Sequence, residues 1–585
     1  MKKFKLLKSI LSISLTIILS FVIMSCSQNK VIETSKTTEA VSETTEAIVK
    51  TNDNDIAILY TNDIHCGVDD NIGYASLAEY KNQSLSKTPY TILIDAGDFL
   101  QGAPIGTLSS GEDIVKIMNK VGFDFATCGN HEFDYGMNNL IERASELNCH
   151  VYSANIMDTR TNKPLFDPYK VFSFGNFKVA LVGATTPESL TKSTPTYFQD
   201  DKGNYIYGFC EDENGNALYN SIQNAINDAR KEADFVILVG HMGNEGSTAR
   251  WSSNTLISKL SGIDAFIDGH SHEVVPGTII KDKDGKDVIL TQTGTKLANI
   301  GELTITKDGT LSTKLINKVN MKDGTTAPDP KTLKEDESMP DGFNKNGNAY
   351  DKSTNDFIVS IMDKFKESLQ AVIGKSGFLL TTKDKDGNRK VRNGETNLGD
   401  LASDAYRVVL GGDIGLVNGG GIRAEIPAGD ITYETALTVF PFNNMGCLVE
   451  VNGQVIKDAL ELSCSKYPEE SGGFLQISGI TYTINSQIPS SVVLDEKGNF
   501  LSVSGEYRAS DIKVNGEDLD LTKMYKVASH NYMLKNGGDG YSMFKGSNVL
   551  KDSVLPDVDV FVDYLKAEGT TNYSKLDGEG RITIK

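Results

Sequence analysis

The chain has 585 residues, too many for one hydrophobic core, so two domains of unequal size plus extensions are expected. Its formal net charge of -20 argues against nonspecific binding to nucleic acid or to an anionic membrane surface. An anionic ligand would therefore need positive charge concentrated locally, by arginines or by metal ions.

The first residues carry a basic start, Lys2-Lys3-Phe4-Lys5, and an apolar run over 11–24 that is too short for a comfortable membrane span. Together they read as an export signal over 1–25. The run ends Ile23-Met24-Ser25-Cys26, which resembles the bacterial lipobox, where cleavage precedes a cysteine that carries lipid. The alternative is an ordinary signal peptide with an incidental cysteine. On the lipobox reading the product is exported and anchored at the bacterial cell envelope through lipid on Cys26. Residues 26–54, rich in Ser, Thr, Glu and Lys, lack the apolar surface to offset chain entropy and are expected to form a flexible stalk. The other cysteines contain no Cys-x-x-Cys pair, which argues against a structural zinc cluster.

From residue 56 short apolar runs alternate with amphipathic stretches. The runs 56–60, 91–94, 123–127, 179–182, 235–239 and 265–267 look like strands buried on both faces, and 112–120 and 137–147 carry apolar residues at helical spacing. This pattern predicts an α/β domain, with ligands beyond the strand ends. The polar clusters fall there. Asp63-Ile64-His65 follows the first run; in extended chain residues i and i+2 point the same way, so this pair could grip one ion. Asp98 follows the second run, and its two oxygens could bridge two cations. Gly129-Asn130-His131-Glu132 follows the third, with Asp134 placed to fix the His131 tautomer; a capped turn uses the same residue types. His241 follows the 235 run, and His270 and His272 repeat the alternate spacing. His150 and His530 fall outside these clusters and are expected to be structural. Strand alternation would point Cys66 away from the site.

In this order the motifs resemble those of the calcineurin-like metallophosphoesterases, and specifically the two-domain 5′-nucleotidase family, over roughly residues 55–570. The resemblance implies a four-layer αββα sandwich over 55–321 and two divalent ions (zinc, manganese, cobalt or similar). One would be held by Asp63, His65, Asp98 and His272, the other by Asp98, Asn130, His241 and His270. Catalysis would fall to His131, held by Asp134.

Residues 322–352 are rich in Pro, Gly and Asn and are expected to link two domains. From 355 to 373 apolar residues recur at helical spacing, with Gly374 as the expected stop; this would be a hinge helix, the linker and hinge together spanning 322–374. Residues 375–585 resemble the family's second α/β domain, which binds nucleotide. Arg392 would contact substrate. In Asn418-Gly419-Gly420-Gly421-Ile422-Arg423 the glycines clear a path to a ligand and Arg423 offers a fork of donors suited to phosphate, unless the segment is only a tight turn. Phe442 resembles one wall of a base-stacking clamp, though it could equally be core. The other wall falls on Met533 by family spacing, leaving Tyr532 to take over the stacking. Asp539 would take ribose hydroxyls.

The function expected is hydrolysis of nucleoside 5′-monophosphates, with UDP-sugars or other nucleotides as further substrates, by in-line attack of water activated between two ions bridged by Asp98. The alternatives are a 2′,3′-cyclic-nucleotide 2′-phosphodiesterase/3′-nucleotidase and a non-catalytic nucleotide-binding lipoprotein.

Overall fold

The computed structural model describes residues 50–585, apart from 201, 245–246, 335–337 and 553–554. The export signal, Cys26 and the stalk up to residue 49 lie outside the described residues. The expected stalk ends earlier than 54, because Asn52 is buried and its amide donates to the Lys307 carbonyl at 2.8 Å.

Two sheets stack face to face in the first domain. The five-stranded sheet runs Leu311–Ile316, Ile300–Ile305, Ile56–Thr61, Thr91–Asp95, Phe125–Ala126, and the six-stranded sheet Val274–Lys281, Asp287–Thr293, Ala265–Ile267, Phe235–His241, Phe177–Thr185, Tyr169–Phe174. Ile58, Tyr60, Ile94 and Phe125 of one sheet meet Val179, Leu181, Ile237 and Ile267 of the other in a shared apolar layer. The outer face of the first sheet is covered by helices Tyr74–Lys87, Glu112–Val121 and Met137–Glu146, that of the second by Asn216–Ala229 and Ser253–Lys259. The result is a four-layer αββα sandwich, explaining why strand runs such as 56–60 and 235–239 are apolar without alternation: both faces are buried. The third strand is only Phe125–Ala126, shorter than the 123–127 run. Strands Ile56–Thr61, Thr91–Asp95 and Phe125–Ala126 are mutually parallel, as are Phe177–Thr185, Phe235–His241 and Ala265–Ile267.

The hinge differs from the expected helix over 355–373. The chain forms helix Lys352–Met362, a break, one turn over Lys366–Leu369, and then strand Val372–Ser376, which holds Gly374 in its interior and pairs with Gly429–Thr432. The cause lies in packing. Ile358 and Ile361 are buried in the first domain, Leu369 in the second, and Phe365 packs against both cores. One helical face cannot serve two cores on different bearings, so the helix breaks where the chain changes core. Residues before it are less free than a linker: the Asn344 amide donates to the Ile72 carbonyl at 2.9 Å, and Phe343 is buried on the first core.

The second domain is built on the sheet Leu475–Ser478, Ile414–Asn418, Met524–His530, Gly446–Asn452, Asn548–Lys551. Helices Asn397–Leu410 and Asp557–Glu568 pack on one core, Gly453–Cys464 on another. Asn418 and His530 are the last residues of neighbouring parallel strands, at the end that faces the first domain.

Candidate active site

The carboxyl ends of the parallel strands in both stacked sheets supply the first half of the site. One ligand atom from each of Asp63, His65, Asp98 and His272 lies within 4.8 Å of every other, the set expected to hold one ion. The route to that convergence differs from strand alternation. The first strand ends at Thr61, and Asp63, His65, Cys66, Asp98, His270 and His272 all have positive φ, between 49° and 82°. Left-handed turns, uncommon for residues other than glycine, aim the side chains. Cys66 does point away, with its thiol on the Phe99 carbonyl at 3.3 Å, but as part of this turn.

The second expected set gathers around Asp98. His241 Nε2 lies 3.1 Å from Asp98 Oδ2, and the His241 and His270 rings sit 5.2 Å apart. Gly129 keeps this junction open, since a Cβ there would collide with Asp98 Oδ1 and His241 Nε2.

These residues suit cations. Asn130 Oδ1 is a buried atom without a hydrogen-bond partner among the described residues, a costly state that a metal ion relieves. Burial opposes a charge on His241, yet Asp98 and Asp63 push its pKa up to about 10. The two carboxylates thus draw positive charge towards His241 Nε2. Burial holds His65 well below the ordinary histidine range, in the neutral form that ligates.

Three buried carboxylates absent from the expected site hold its loops in shape. Glu132 accepts the amides of Asp98 and Phe99 at 2.8 Å and of Leu100 at 3.1 Å. Asp95 takes the Gly97 amide at 2.8 Å, and Asp268 the Met242 amide at 2.8 Å. Glu132 was visible beside His131, but its backbone partners lie on another strand end.

His131 Nδ1 lies 2.6 Å from Asp134 Oδ2, and Asp134 Oδ1 accepts the Ser193 hydroxyl at 2.8 Å. Burial works against charge on His131, but the carboxylates of Asp134 and Asp98 raise its pKa above the usual value. With Nδ1 on Asp134, Nε2 is the nitrogen left for a ligand.

The second domain closes the other wall. Arg392, Asn418, Arg423, Phe442, Tyr532 and Asp539 line the same cleft as His131 and His270. Burial and the like charges of Arg389 and Arg423 press on the Arg392 guanidinium and lower its pKa, the electrostatics of a pocket that favours an anion. Arg389 and Lys466 also line the cleft and were missed. Arg389 lies three residues before Arg392 in plain view; no local pattern separates it from a surface arginine, and here its Nε donates to Glu470 at 2.5 Å.

Phe442 is half-buried rather than core; its ring lies 5.6 Å from that of His131 and under the Arg423 guanidinium at 5.5 Å. Met533 is fully buried in the domain core while Tyr532 lines the cleft. The Tyr532 hydroxyl donates across the domain boundary to the Thr191 carbonyl at 2.7 Å and accepts the Asp539 amide at 3.0 Å. Asp539 accepts Asn418 Nδ2 at 2.7 Å and Lys192 Nζ at 3.0 Å, Lys192 coming from the first domain. His530, expected to be structural, donates from Nε2 to Asn418 Oδ1 at 3.0 Å and so orients a residue of the cleft. His150 lies in a separate surface groove. All six cysteines described are unpaired.

A cage of carboxylates and imidazoles facing a cationic wall is what a metal-dependent phosphoesterase needs, and the comparisons define that class. Residues 56–274 match the calcineurin-like phosphoesterase model, and residues 372–546 match the model of the 5′-nucleotidase C-terminal domain. A 5′-nucleotidase of Vibrio parahaemolyticus is 27% identical over 571 residues, covering 90% of this chain and 92% of the relative. Protein UshA of Escherichia coli is 26% identical over 576 residues, covering 93% and 96%. The crystal structure of a 5′-nucleotidase precursor from Thermus thermophilus superposes with a TM-score of 0.72 at 25% identity, covering 91% of this chain and 99% of that one. The protein is a metal-dependent hydrolase. It belongs to the two-domain 5′-nucleotidase family.

Proposed function

We propose that the protein removes phosphate from nucleoside 5′-monophosphates at a two-cation site in the cleft between its domains. The observation that carries this reading is the single cavity lined by Asp98, Asn130, His131 and His270 on one side and by Arg392, Asn418, Arg423 and Asp539 on the other. Asp63, His65, Asp98 and His272 would hold one divalent ion, and Asp98, Asn130, His241 and His270 the other. Bound there, the ions supply positive charge against the phosphoryl oxygens and acidify the attacking water.

The chain's own groups do the rest. Arg423 and Arg392 draw the phosphate into an otherwise acidic protein and orient it by paired donors. His131 donates from Nε2 to a phosphoryl oxygen or to the departing alkoxide, while Asp134 holds the proton on Nδ1 and Ser193 holds Asp134. Phe442 and Tyr532 offer aromatic faces to the base, and Asp539, released from Lys192, takes the ribose hydroxyls. Export and lipid anchoring through Cys26 complete the reading and rest on the sequence of the first 26 residues alone.

The test is phosphate release from AMP, UDP-glucose, 2′,3′-cyclic AMP and 3′-AMP, with chelator and with zinc, manganese or cobalt resupplied. AMP should be the best substrate and chelator should abolish turnover; preference for the cyclic or 3′ compounds would overturn the substrate assignment.

A further inference from the structure

The strand Phe177–Thr185 runs parallel to Phe235–His241 and ends at the metal-binding half with no side chain yet assigned. The chain continues from it as Thr186-Pro187-Glu188, and Glu188 is 6% exposed. Its two oxygens have separate duties. Oε2 lies 2.8 Å from Nε2 of His270, while Oε1 accepts the Thr248 amide at 2.6 Å and the Thr248 hydroxyl. Thr248 thus fixes where the carboxylate points. With Oε1 taking both donors of Thr248, the carboxylate presents Oε2 to the imidazole as an acceptor.

A permanent acceptor on Nε2 requires a hydrogen there, which leaves Nδ1 of His270 as the lone-pair nitrogen. His65 and His241 are arranged the other way round. Their Nδ1 atoms sit on the carbonyls of Gln101 at 3.1 Å and Ala96 at 2.8 Å, leaving Nε2 free to ligate. Of these three imidazoles, His270 is the one held by an anion instead of a neutral carbonyl. A carboxylate on the far nitrogen fixes the ring, sets its tautomer and makes the ligating nitrogen more basic.

We propose that Glu188 is a positioning residue for the second cation: it holds His270 as the Nε2–H tautomer, so that Nδ1 binds the ion shared with Asp98, Asn130 and His241. The proposal rests on the two-cation reading above. It makes the Asp98–Asn130 side of the site depend on the Glu188 carboxylate, so the two equivalents should respond differently when that charge is removed.

The experiment is a chelator-competition titration of the purified full chain with Co(II), read by bound metal and by the visible spectrum of each equivalent, for wild type, E188Q, E188A, H270A and E188A/H270A. Wild type should bind two equivalents. E188Q keeps the volume and removes the charge; it should bind the first equivalent as wild type does and the second about 10- to 100-fold more weakly, with a changed spectrum for that equivalent. E188A should be weaker still, and adding E188A to H270A should change nothing further, since Glu188 acts through His270. Unchanged binding in E188Q, equal weakening of both equivalents, or an additive double variant would each overturn the assignment. If E188A fails to fold, E188Q decides alone. A wild type that binds one equivalent sinks the two-cation reading, and the inference with it.

Discussion

His530 gives the second domain a definite acid limit. The residue is 2% exposed, and its only hydrogen-bonding nitrogen in use is Nε2, which donates to Asn418; Nδ1 is buried with no partner among the described residues. Protonation would place an unpaired charge on that atom. Burial accordingly lowers the pKa from 6.5 to about 4, although the nearby Asp539 works in the opposite direction. Because the folded value lies below the unfolded one, the neutral ring stabilises fully above pH 6.5, and that contribution is lost as the pH falls towards 4. At 1.36 kcal/mol per pKa unit the difference is about 3 kcal/mol. His530→Gln can still donate to Asn418 but does not titrate. Thermal unfolding of the second-domain transition should show wild type losing stability between pH 6.5 and 4, with the variant losing about 3 kcal/mol less, at ~2–4 °C per kcal/mol for a domain of this size. Parallel curves for the two proteins would refute the argument.

Other outcomes are equally specific. His131→Ala should lower kcat by about 10²- to 10⁴-fold while bound metal, measured by mass spectrometry, stays at the wild-type level; metal loss would make His131 a ligand. Gly129→Ala should lower metal affinity, measured by chelator competition, because the added Cβ collides with Asp98 and His241; wild-type affinity would refute the role of this glycine. Cys26→Ser, expressed as the full chain, should lose both labelled-palmitate incorporation and membrane-fraction recovery. An unlabelled wild type would refute the anchor.

The sequence by itself determined the layered α/β class and the residue types of the site. Apolar runs such as 235–239 are the imprint of burial on two faces, and the polar clusters after them mark strand ends whatever the packing. Those signals are local, so they survive without coordinates. The hinge shows where local signals end: the spacing from 357 to 372 is helical throughout, but Ile361 and Leu369 answer to different cores, and only their placement could break the helix. The same holds for how Asp63 and His65 converge, through left-handed turns that no alternation rule describes. Glu188, Lys192 and Arg389 belong to no motif; they matter because tertiary structure brings Glu188 to His270 and Lys192 to Asp539, 82 and 347 residues away. Sequence pattern records what each segment must bury, whereas the pairing of charges across a cleft depends on how two finished domains close on each other, and that is decided only in three dimensions.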